Sequence, residues 1–221
     1  NKITHNNNYK FILNYNSWIK QRNNKNHYPL LSLKEFNDVD LNLVSEKINF
    51  LKIESTDLDT VINIDIPENF VMILNTSNEH FMPEMRSFFL KITQIKNPVI
   101  LSKNYDMSYS DKFIIHSSTD IGGLFIQGFG DGIFIGNQSN DIKEIKKTNN
   151  LSFKILQAAR VRVTSTDFIS CPSCGRTLFD LQETTALIRE RTDHLKGLKI
   201  GIMGCIVNGP GEMADADYGY V

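Results

Sequence analysis

The chain's three cysteines stand in two short stretches near its C-terminus. Cys171 and Cys174 lie in "SCPSCG", and Cys205 lies in "GCIVNGPGE". The two-residue spacing of the first pair lets both thiolates converge on one centre, because a short turn places both side chains on the same side. Thiolates ligate zinc and iron–sulfur clusters, and paired thiols also exchange disulfides. Three cysteines at predicted loop edges therefore indicate a metal or redox centre better than they indicate buried apolar packing.

Three kinds of centre fit these cysteines to different degrees. A zinc ribbon needs a second cysteine pair or histidines, and His194 falls towards the end of a predicted helix, where it would be hard to bring to the site. A thioredoxin-type dithiol follows a first strand and rarely needs a third cysteine. A 4Fe-4S cluster normally takes four thiolates, so three leave one iron for a carboxylate, water or substrate. The pattern favours this last interpretation and, with it, Lewis-acid chemistry besides electron transfer.

A candidate oxygen ligand follows Cys205 in the sequence. Glu212 stands seven residues later, across a predicted tight turn at 208–211 ("NGPG"), so its carboxylate can fold back on the same centre. Backbone N–H groups of that turn could meet sulfide or phosphate oxygens. An ordinary surface glutamate is the alternative interpretation. Asp215 and Asp217 are weaker candidates that better fit solvated side chains.

Strands and a helix are predicted to position these loops. "TDFIS" (166–170) is strand-like and runs into Cys171, and 197–204 reads as a buried strand leading to Cys205. Between them, 178–195 has helical periodicity, and its N-terminal dipole would favour thiolate near Cys174. The expected apolar face of that helix comprises Leu178, Leu181, Leu187 and Ile188. Arg176 could balance charge at the centre, or be a solvated arginine at the helix start.

The preceding part of the chain alternates short apolar strands with helices. The predicted strands are 49–56, 69–77, 97–105 and 131–136, and the predicted helices are 79–95, 110–128 and, after a polar linker at 137–150, 152–163. This alternation indicates an α/β fold with a parallel sheet, as in part of a β/α barrel or an open α/β sheet. We expect two domains, 1–150 and 151–221.

Composition limits the classes of partner. Of 221 residues, 41% are hydrophobic and 22% charged, and the formal net charge of −1 offers no global attraction to nucleic acid or an anionic membrane. The longest apolar runs are too short to span a bilayer. Three cysteines do not form a disulfide framework, which favours a reducing compartment. With Asn1 at its start, no signal-peptide pattern and "YGYV" at its end, the sequence is expected to be a C-proximal fragment of a longer polypeptide.

Two motifs together resemble one enzyme family. "SCPSCGRTLFDLQ" and "IMGCIVNGPGEMADADYGYV" are similar to the C-terminal region of 4-hydroxy-3-methylbut-2-enyl diphosphate synthases. The resemblance implies a β/α barrel and a small C-terminal α/β domain like those of sulfite and nitrite reductases. It also implies a 4Fe-4S cluster whose ligands fall on Cys171, Cys174, Cys205 and Glu212, with Glu212 catalytic. Asn208 resembles a residue that contacts substrate.

A third motif bears on the subtype. "SSTDIGGLFIQGFGDGIFIG" resembles the end of the extra barrel-like domain of the three-domain form, which lies between the catalytic barrel and the cluster domain. The catalytic barrel of the family carries a similar strand followed by Arg and Ser that bind diphosphate. "GDGIFIG" is followed by neither, so residues 1–150 are expected to be inserted domain and to hold no substrate ligands.

The resemblance also implies an activity and partners. The family opens the ring of 2-C-methyl-D-erythritol 2,4-cyclodiphosphate reductively, with loss of water, to give (E)-4-hydroxy-3-methylbut-2-enyl diphosphate. Its electrons come from ferredoxin or flavodoxin, and a homodimer is plausible. No nucleic acid or membrane is expected as a partner. Expected locations are the bacterial cytoplasm, or a plastid or apicoplast in a eukaryote. A zinc-binding or electron-carrier module without catalysis is the alternative.

Overall fold

Residues 10–221 are described by a computed structural model. They divide into two compact units, of which the first ends at Ala159 and the second spans Arg160–Val221. Both units are α/β, as the sequence predicted. Within the described residues, no helix is long and apolar enough to cross a membrane.

A parallel sheet forms the centre of the first unit. Its strands are β1 (Phe11–Asn14), β2 (His27–Ser32), β3 (Asn49–Glu54), β4 (Phe70–Asn75), β5 (Val99–Asn104) and β6 (Gly132–Gly136). They neighbour each other in chain order, and every pairing is parallel. An open doubly wound sheet would reverse its strand order at a switch point. The unreversed order instead makes a curled half-barrel.

Helices connect these strands and cover the face that carries the core. They are α1 (Tyr15–Ile19), α2 (Leu33–Asp38), α3 (Leu58–Val61), α4 (Phe81–Lys91), α5 (Asp111–Ser117), α6 (Gly123–Ile126) and α7 (Ile142–Ala158). A π-helical turn, Ser118–Gly122, joins α5 to α6. Alternate strand residues such as Leu51, Met72 and Leu101 are buried beneath the helices. The four predicted strands are confirmed, and β1 and β2 are additional strands that no sequence pattern had assigned.

The predicted linker at 137–150 was wrong in its second half. Asp141 accepts a hydrogen bond from the Lys143 N–H and starts α7, which runs without a break to Ala158. Leu151 and Ile155 of this helix are buried in the core of the first unit. The units consequently divide nine residues after the predicted boundary at 150, because α7 packs on the half-barrel through later residues such as Leu151 and Ile155.

A partly buried polar network lies at the carboxyl end of β5. The Asp120 carboxylate receives hydrogen bonds from Lys103 Nζ and Tyr105 Oη, each at 2.9 Å. Burial, together with the Asp120 charge, raises the pKa of Tyr105 far above its ordinary value. The phenol therefore stays a donor, and the ion pair joins β5 to the π-helical turn.

Two glycines after α6 offer a matched test of packing. Gly128 and Gly130 both have left-handed φ, but a Cβ on Gly130 would lie 2.9 Å from the side chain of buried Leu101, whereas one on Gly128 would meet nothing. We expect Gly128→Ala to lower the free energy of unfolding by about 1 kcal/mol. Gly130→Ala should lower it by about 1–3 kcal/mol more, through overpacking. Urea denaturation of both variants checks this, and equal losses would contradict it.

The second unit is a smaller α/β module. Its elements are β7 (Asp167–Ser170), α8 (Leu181–Thr192), β8 (Lys199–Ile202), α9 (Gly209–Glu212) and β9 (Tyr218–Tyr220). Among the described residues these strands form a parallel sheet in the order β7-β8-β9. The predicted strands at 166–170 and 197–204 and the helix between them are confirmed. Leu181, Ile200 and Ile202 form the buried core of the unit.

The predicted apolar face of α8 needs correction. Leu181 is buried and Ile188 packs against the core of the unit, as expected. Leu178 precedes the helix and is 95% exposed, and Leu187 is 50% exposed. The sequence had suggested that the positive end of this helix follows Cys174 closely. In the structure α8 begins at Leu181 with Asp180 as its N-cap, so its positive end lies farther along the chain.

Candidate functional site

Two neighbouring strands deliver the cysteines to one edge of the second sheet. Cys171 follows β7 directly, and Cys205 follows β8 after two residues. β7 and β8 are parallel, and Ser170 pairs in register with Ile202. Both loops therefore leave the same carboxyl edge, where ligands of parallel α/β sheets usually bind. His194 precedes β8 and so belongs to the opposite edge, away from the cysteines.

The two cysteine loops touch. The Gly204 N–H donates to Cys171 Sγ at 3.2 Å, so the residue before Cys205 contacts the first cysteine. A Cβ on Gly204 would collide with the side chain of Thr177, lying 2.9 Å from Cγ2. Glycine at 204 thus lets the loop after β7 approach the loop after β8. Cys171 is half-buried by this contact.

Local hydrogen bonds shape the loop that carries Cys174. The Thr177 hydroxyl accepts the Cys174 N–H at 3.3 Å and lies 3.2 Å from the Ser173 hydroxyl, which donates to it. The Thr177 N–H donates to the Cys174 carbonyl at 3.0 Å. Ser173 has left-handed φ of 69°, which a non-glycine residue adopts where such bonds compensate. Cys174 itself is exposed.

Backbone N–H groups of its own loop lower the pKa of the Cys205 thiol. Hydrogen bonding from the Asn208 N–H lowers the pKa of Cys205 below its ordinary value, helped by Val207 N–H, the positive charge of Arg176 and Gly209 N–H, while burial opposes them. The sequence analysis suggested that N–H groups of this turn could meet sulfide or phosphate oxygens, which stays a prediction. In the structure, N–H groups of the same turn lower the pKa of the Cys205 thiol. The arrangement favours the thiolate, which is the form that binds metals.

The "NGPG" segment is helical. Gly209–Glu212 forms α9, a single helical turn with Pro210 at its start, where sequence reasoning expected a tight turn. Asn208 precedes it and Glu212 ends it, and both side chains are exposed. The Glu212 N–H donates to the Asn208 carbonyl at 3.0 Å, so the two predicted site residues lie one helical turn apart.

The weaker carboxylate candidates separate into two cases. Asp217 accepts the Lys199 N–H at 2.8 Å, and thereby joins the start of β8 to the segment that enters β9. Asp217 is exposed, as expected, and its carboxylate also has this structural use. Asp215 is exposed, as expected.

The thiol and carboxylate side chains at this edge differ in how well they fit a metal centre by position and by type. Among the described residues, no group of three or more His, Cys, Asp or Glu side chains is gathered closely enough to hold a metal ion. The donor types fit a thiolate-ligated centre: three free thiols lie on two loops at one edge, joined by the Gly204–Cys171 contact, and amides favour the Cys205 thiolate. Sequence reasoning missed Thr177 and Gly204. A threonine three residues after Cys174, which is typical of a local side-chain-to-backbone turn, was the available signal.

A groove borders the first cysteine. Its volume is about 680 Å³, and it lies between residues 170–173 and the first half of α8. Asp180 and Arg189 are its charged lining residues. Cys171 is therefore open to approach from this side.

Comparisons with known proteins relate both units to one group. Residues 167–221 match the family described as GcpE protein C-terminal domain. The chain is 38% identical, over 97% of its length, to 4-hydroxy-3-methylbut-2-en-1-yl diphosphate synthase (flavodoxin) of Phocaeicola vulgatus, and spans 35% of that protein. It is 45% identical over 81% of its length to the Porphyromonas gingivalis protein of the same name, spanning 31% of it.

A plant protein matches as well. The chain is 52% identical, over 60% of its length, to the chloroplastic 4-hydroxy-3-methylbut-2-en-1-yl diphosphate synthase (ferredoxin) of Arabidopsis thaliana, and spans 18% of it. The chain thus spans about a third, or less, of the length of these curated relatives.

Proposed function

Because this chain belongs to the 4-hydroxy-3-methylbut-2-en-1-yl diphosphate synthase family, we propose that it forms part of an iron–sulfur oxidoreductase of isoprenoid synthesis. The reaction is the reductive ring opening and dehydration of 2-C-methyl-D-erythritol 2,4-cyclodiphosphate to (E)-4-hydroxy-3-methylbut-2-enyl diphosphate. The observation that carries the proposal is the meeting of the two cysteine loops at one sheet edge, with the Gly204 N–H on Cys171 Sγ.

Four side chains would hold a 4Fe-4S cluster: those of Cys171, Cys174, Cys205 and Glu212. Bound there, the cluster would supply electrons one at a time and a Lewis-acidic iron. Other groups of this chain stabilise the charge on the side chains that would hold the cluster. The amides of residues 207–209 and the guanidinium of Arg176 stabilise negative charge on Cys205, and the same groups favour any added negative charge at this edge.

Glu212 and Asn208 would serve the substrate side of the site. A carboxylate is a more exchangeable ligand of iron than a thiolate, and Glu212 is exposed at the end of α9. It would hold the cluster through a replaceable oxygen ligand, and its carboxylate can hold a proton beside the substrate. Asn208, one turn earlier and also exposed, offers an amide that donates and accepts hydrogen bonds to a hydroxyl or diphosphate.

The units take their roles from the same family. The second unit, predicted as 151–221, is the start of a cluster domain resembling those of sulfite and nitrite reductases. The half-barrel, predicted within 1–150, is the barrel-like domain inserted before it in the three-domain form. Its unreversed strand order supports this assignment. The catalytic barrel and its substrate ligands would lie in the remaining length of such proteins.

Electron supply and location follow from the relatives' names. The electron donor is a flavodoxin or ferredoxin, and the groove beside Cys171 offers an approach to the proposed centre. A homodimer would place a catalytic barrel opposite each cluster domain. The proposed location is the cytoplasm of a bacterium, or a plastid or apicoplast in a eukaryote.

Anaerobic reconstitution tests the proposal against a zinc module. With iron and sulfide, the protein should develop the broad visible absorption of an iron–sulfur cluster. The full-length protein, which would include the proposed catalytic barrel, should also consume the cyclic diphosphate when a low-potential reductant is present. Tight stoichiometric zinc with no chromophore would support the structural module and end the enzyme proposal. A chromophore in the full-length protein that passes electrons to an acceptor but leaves the cyclic diphosphate unchanged would identify a plain carrier.

A further inference from the structure

Thr177 lies where the two cysteine loops of the second unit meet. Its side chain packs on the Cα of Gly204, where a Cβ would collide first with the Thr177 hydroxyl oxygen and would lie 2.9 Å from Cγ2. The N–H of the same glycine donates to Cys171 Sγ. A shift of the Thr177 side chain would therefore change the distance between the Gly204 N–H and Cys171 Sγ.

The Thr177 hydroxyl also fixes the other end of the first loop. It accepts the Cys174 N–H at 3.3 Å and the Ser173 hydroxyl at 3.2 Å. These two bonds span the residue whose backbone is left-handed, Ser173. The same oxygen thus sets the path of 173–174 and is the Thr177 atom nearest to the Cβ position of Gly204 on the other loop.

We propose that Thr177 is a positioning residue for the proposed centre, and that it acts by holding the Gly204 N–H on Cys171 Sγ and the Cys174 segment beside it. The inference deepens the proposed function and rests on it for the identity of the bound group. Hydrogen bonds to ligand sulfurs are among the factors that set the potential of iron–sulfur centres. Partners of the ligands commonly change metal affinity about 10–100-fold when removed.

Two substitutions of Thr177 separate its oxygen from its shape. Thr177→Ser keeps the hydroxyl that accepts the Cys174 N–H. Thr177→Val keeps the branched shape but has no acceptor, so the Cys174 and Ser173 donors lose their partner. We expect the serine variant to behave like the parent protein and the valine variant to lose iron affinity about 10-fold or more.

Two glycine substitutions provide an independent comparison. Gly204→Ala must displace Thr177, whereas a Cβ on Gly175 would meet nothing within 4 Å. Both glycines have ordinary φ, so neither substitution is strained by its backbone alone. Gly204→Ala should therefore act like Thr177→Val, and Gly175→Ala should act like the parent.

A cofactor-free measurement reads loop positioning directly. In a Cys174→Ser background, Cys171 and Cys205 remain the two cysteines of the 221-residue sequence. A short bifunctional thiol reagent that fluoresces after both ends have alkylated reports their proximity. The cross-linking rate should fall several-fold in Thr177→Val and Gly204→Ala and stay at the parent level in Thr177→Ser and Gly175→Ala. Circular dichroism verifies folding, and if Thr177→Val does not fold, the glycine pair decides.

The loaded protein gives a second readout. Weakening an N–H···S bond removes stabilisation of the more negative, reduced centre, so its midpoint potential should move in the negative direction in Thr177→Val and Gly204→Ala. Equal cross-linking and equal potentials across all four variants would overturn the inference. If the parent forms no chromophore but the cross-linking order holds, the proposed function fails while loop positioning by Thr177 stands.

Discussion

Cys205→Ser abolishes the visible absorption of the reconstituted full-length protein and lowers its turnover by more than about 100-fold, the upper end of the loss caused by removing a ligand's partner. This expected result follows from the environment of the sulfur. The amides of Asn208, Val207 and Gly209 favour a thiolate at this position. A serine hydroxyl stays protonated there, so the backbone N–H groups have no anion to stabilise. The centre therefore loses a ligand.

The fold should survive this substitution. Cys205 is only half-buried and is not part of the core of the second unit, which Leu181, Ile200 and Ile202 form. We expect the free energy of unfolding to change by no more than about 0.5 kcal/mol. Ile206→Ala is the matched control, because Ile206 is exposed beside Cys205 and offers no ligand. A Cys205→Ser protein that retains full absorption and turnover would show that this cysteine is no ligand.

Glu212→Ala is expected to keep the chromophore and lose turnover by about 100-fold or more, the scale of a missing acid–base group. Water can take the place of a single oxygen ligand, so the cluster survives. The alanine variant, however, has no carboxylate to hold a proton beside the substrate oxygen. Iron content, visible absorption and conversion of the cyclic diphosphate, measured on the same sample, check the two effects separately.

Asp215→Ala controls for the loss of one negative charge. Asp215 is exposed, as Glu212 is, and stands three residues later. Its removal should leave turnover within about twofold of the parent, as expected for a surface change without a partner. Equal losses in both variants would assign the effect to general charge at this edge. Full turnover in Glu212→Ala, with electron transfer retained, would instead favour the plain carrier.

Several features of the fold followed from local pattern. Apolar runs bounded by polar loops predicted β3 to β6, and they are confirmed because buried parallel strands have that composition. The helix at 110–128 is confirmed as α5, a π-helical turn and α6, although it contains two glycines. Gly122 packs against Ile155 of α7, and a Cβ on Gly122 would lie 3.5 Å from Ile155 Cγ2. This packing offsets the low helix propensity of glycine.

Other features were hidden because their signal is tertiary. The first turns of α7 are rich in Lys and Asn, and Ile142 and Ile145 are exposed, so no apolar stripe marks them. That segment is helical because the residues after it, such as Leu151 and Ile155, dock on the half-barrel and extend the helix cooperatively. In α8, by contrast, periodicity suggested an apolar face larger than the small sheet can cover.

The sequence by itself determined which residues could form a centre: three cysteines, two in one turn, with a carboxylate seven residues beyond the third. Residue type and short spacing are local properties, because they depend only on residues within one strand or turn. The tertiary structure decided which loops meet, because the parallel register of β7 on β8 is set by packing across the sheet. It also decided that Thr177 lies on Gly204 and that N–H groups of residues 207–209 lower the pKa of Cys205. Those contacts join residues far apart in the chain or depend on backbone direction, which residue order alone does not encode.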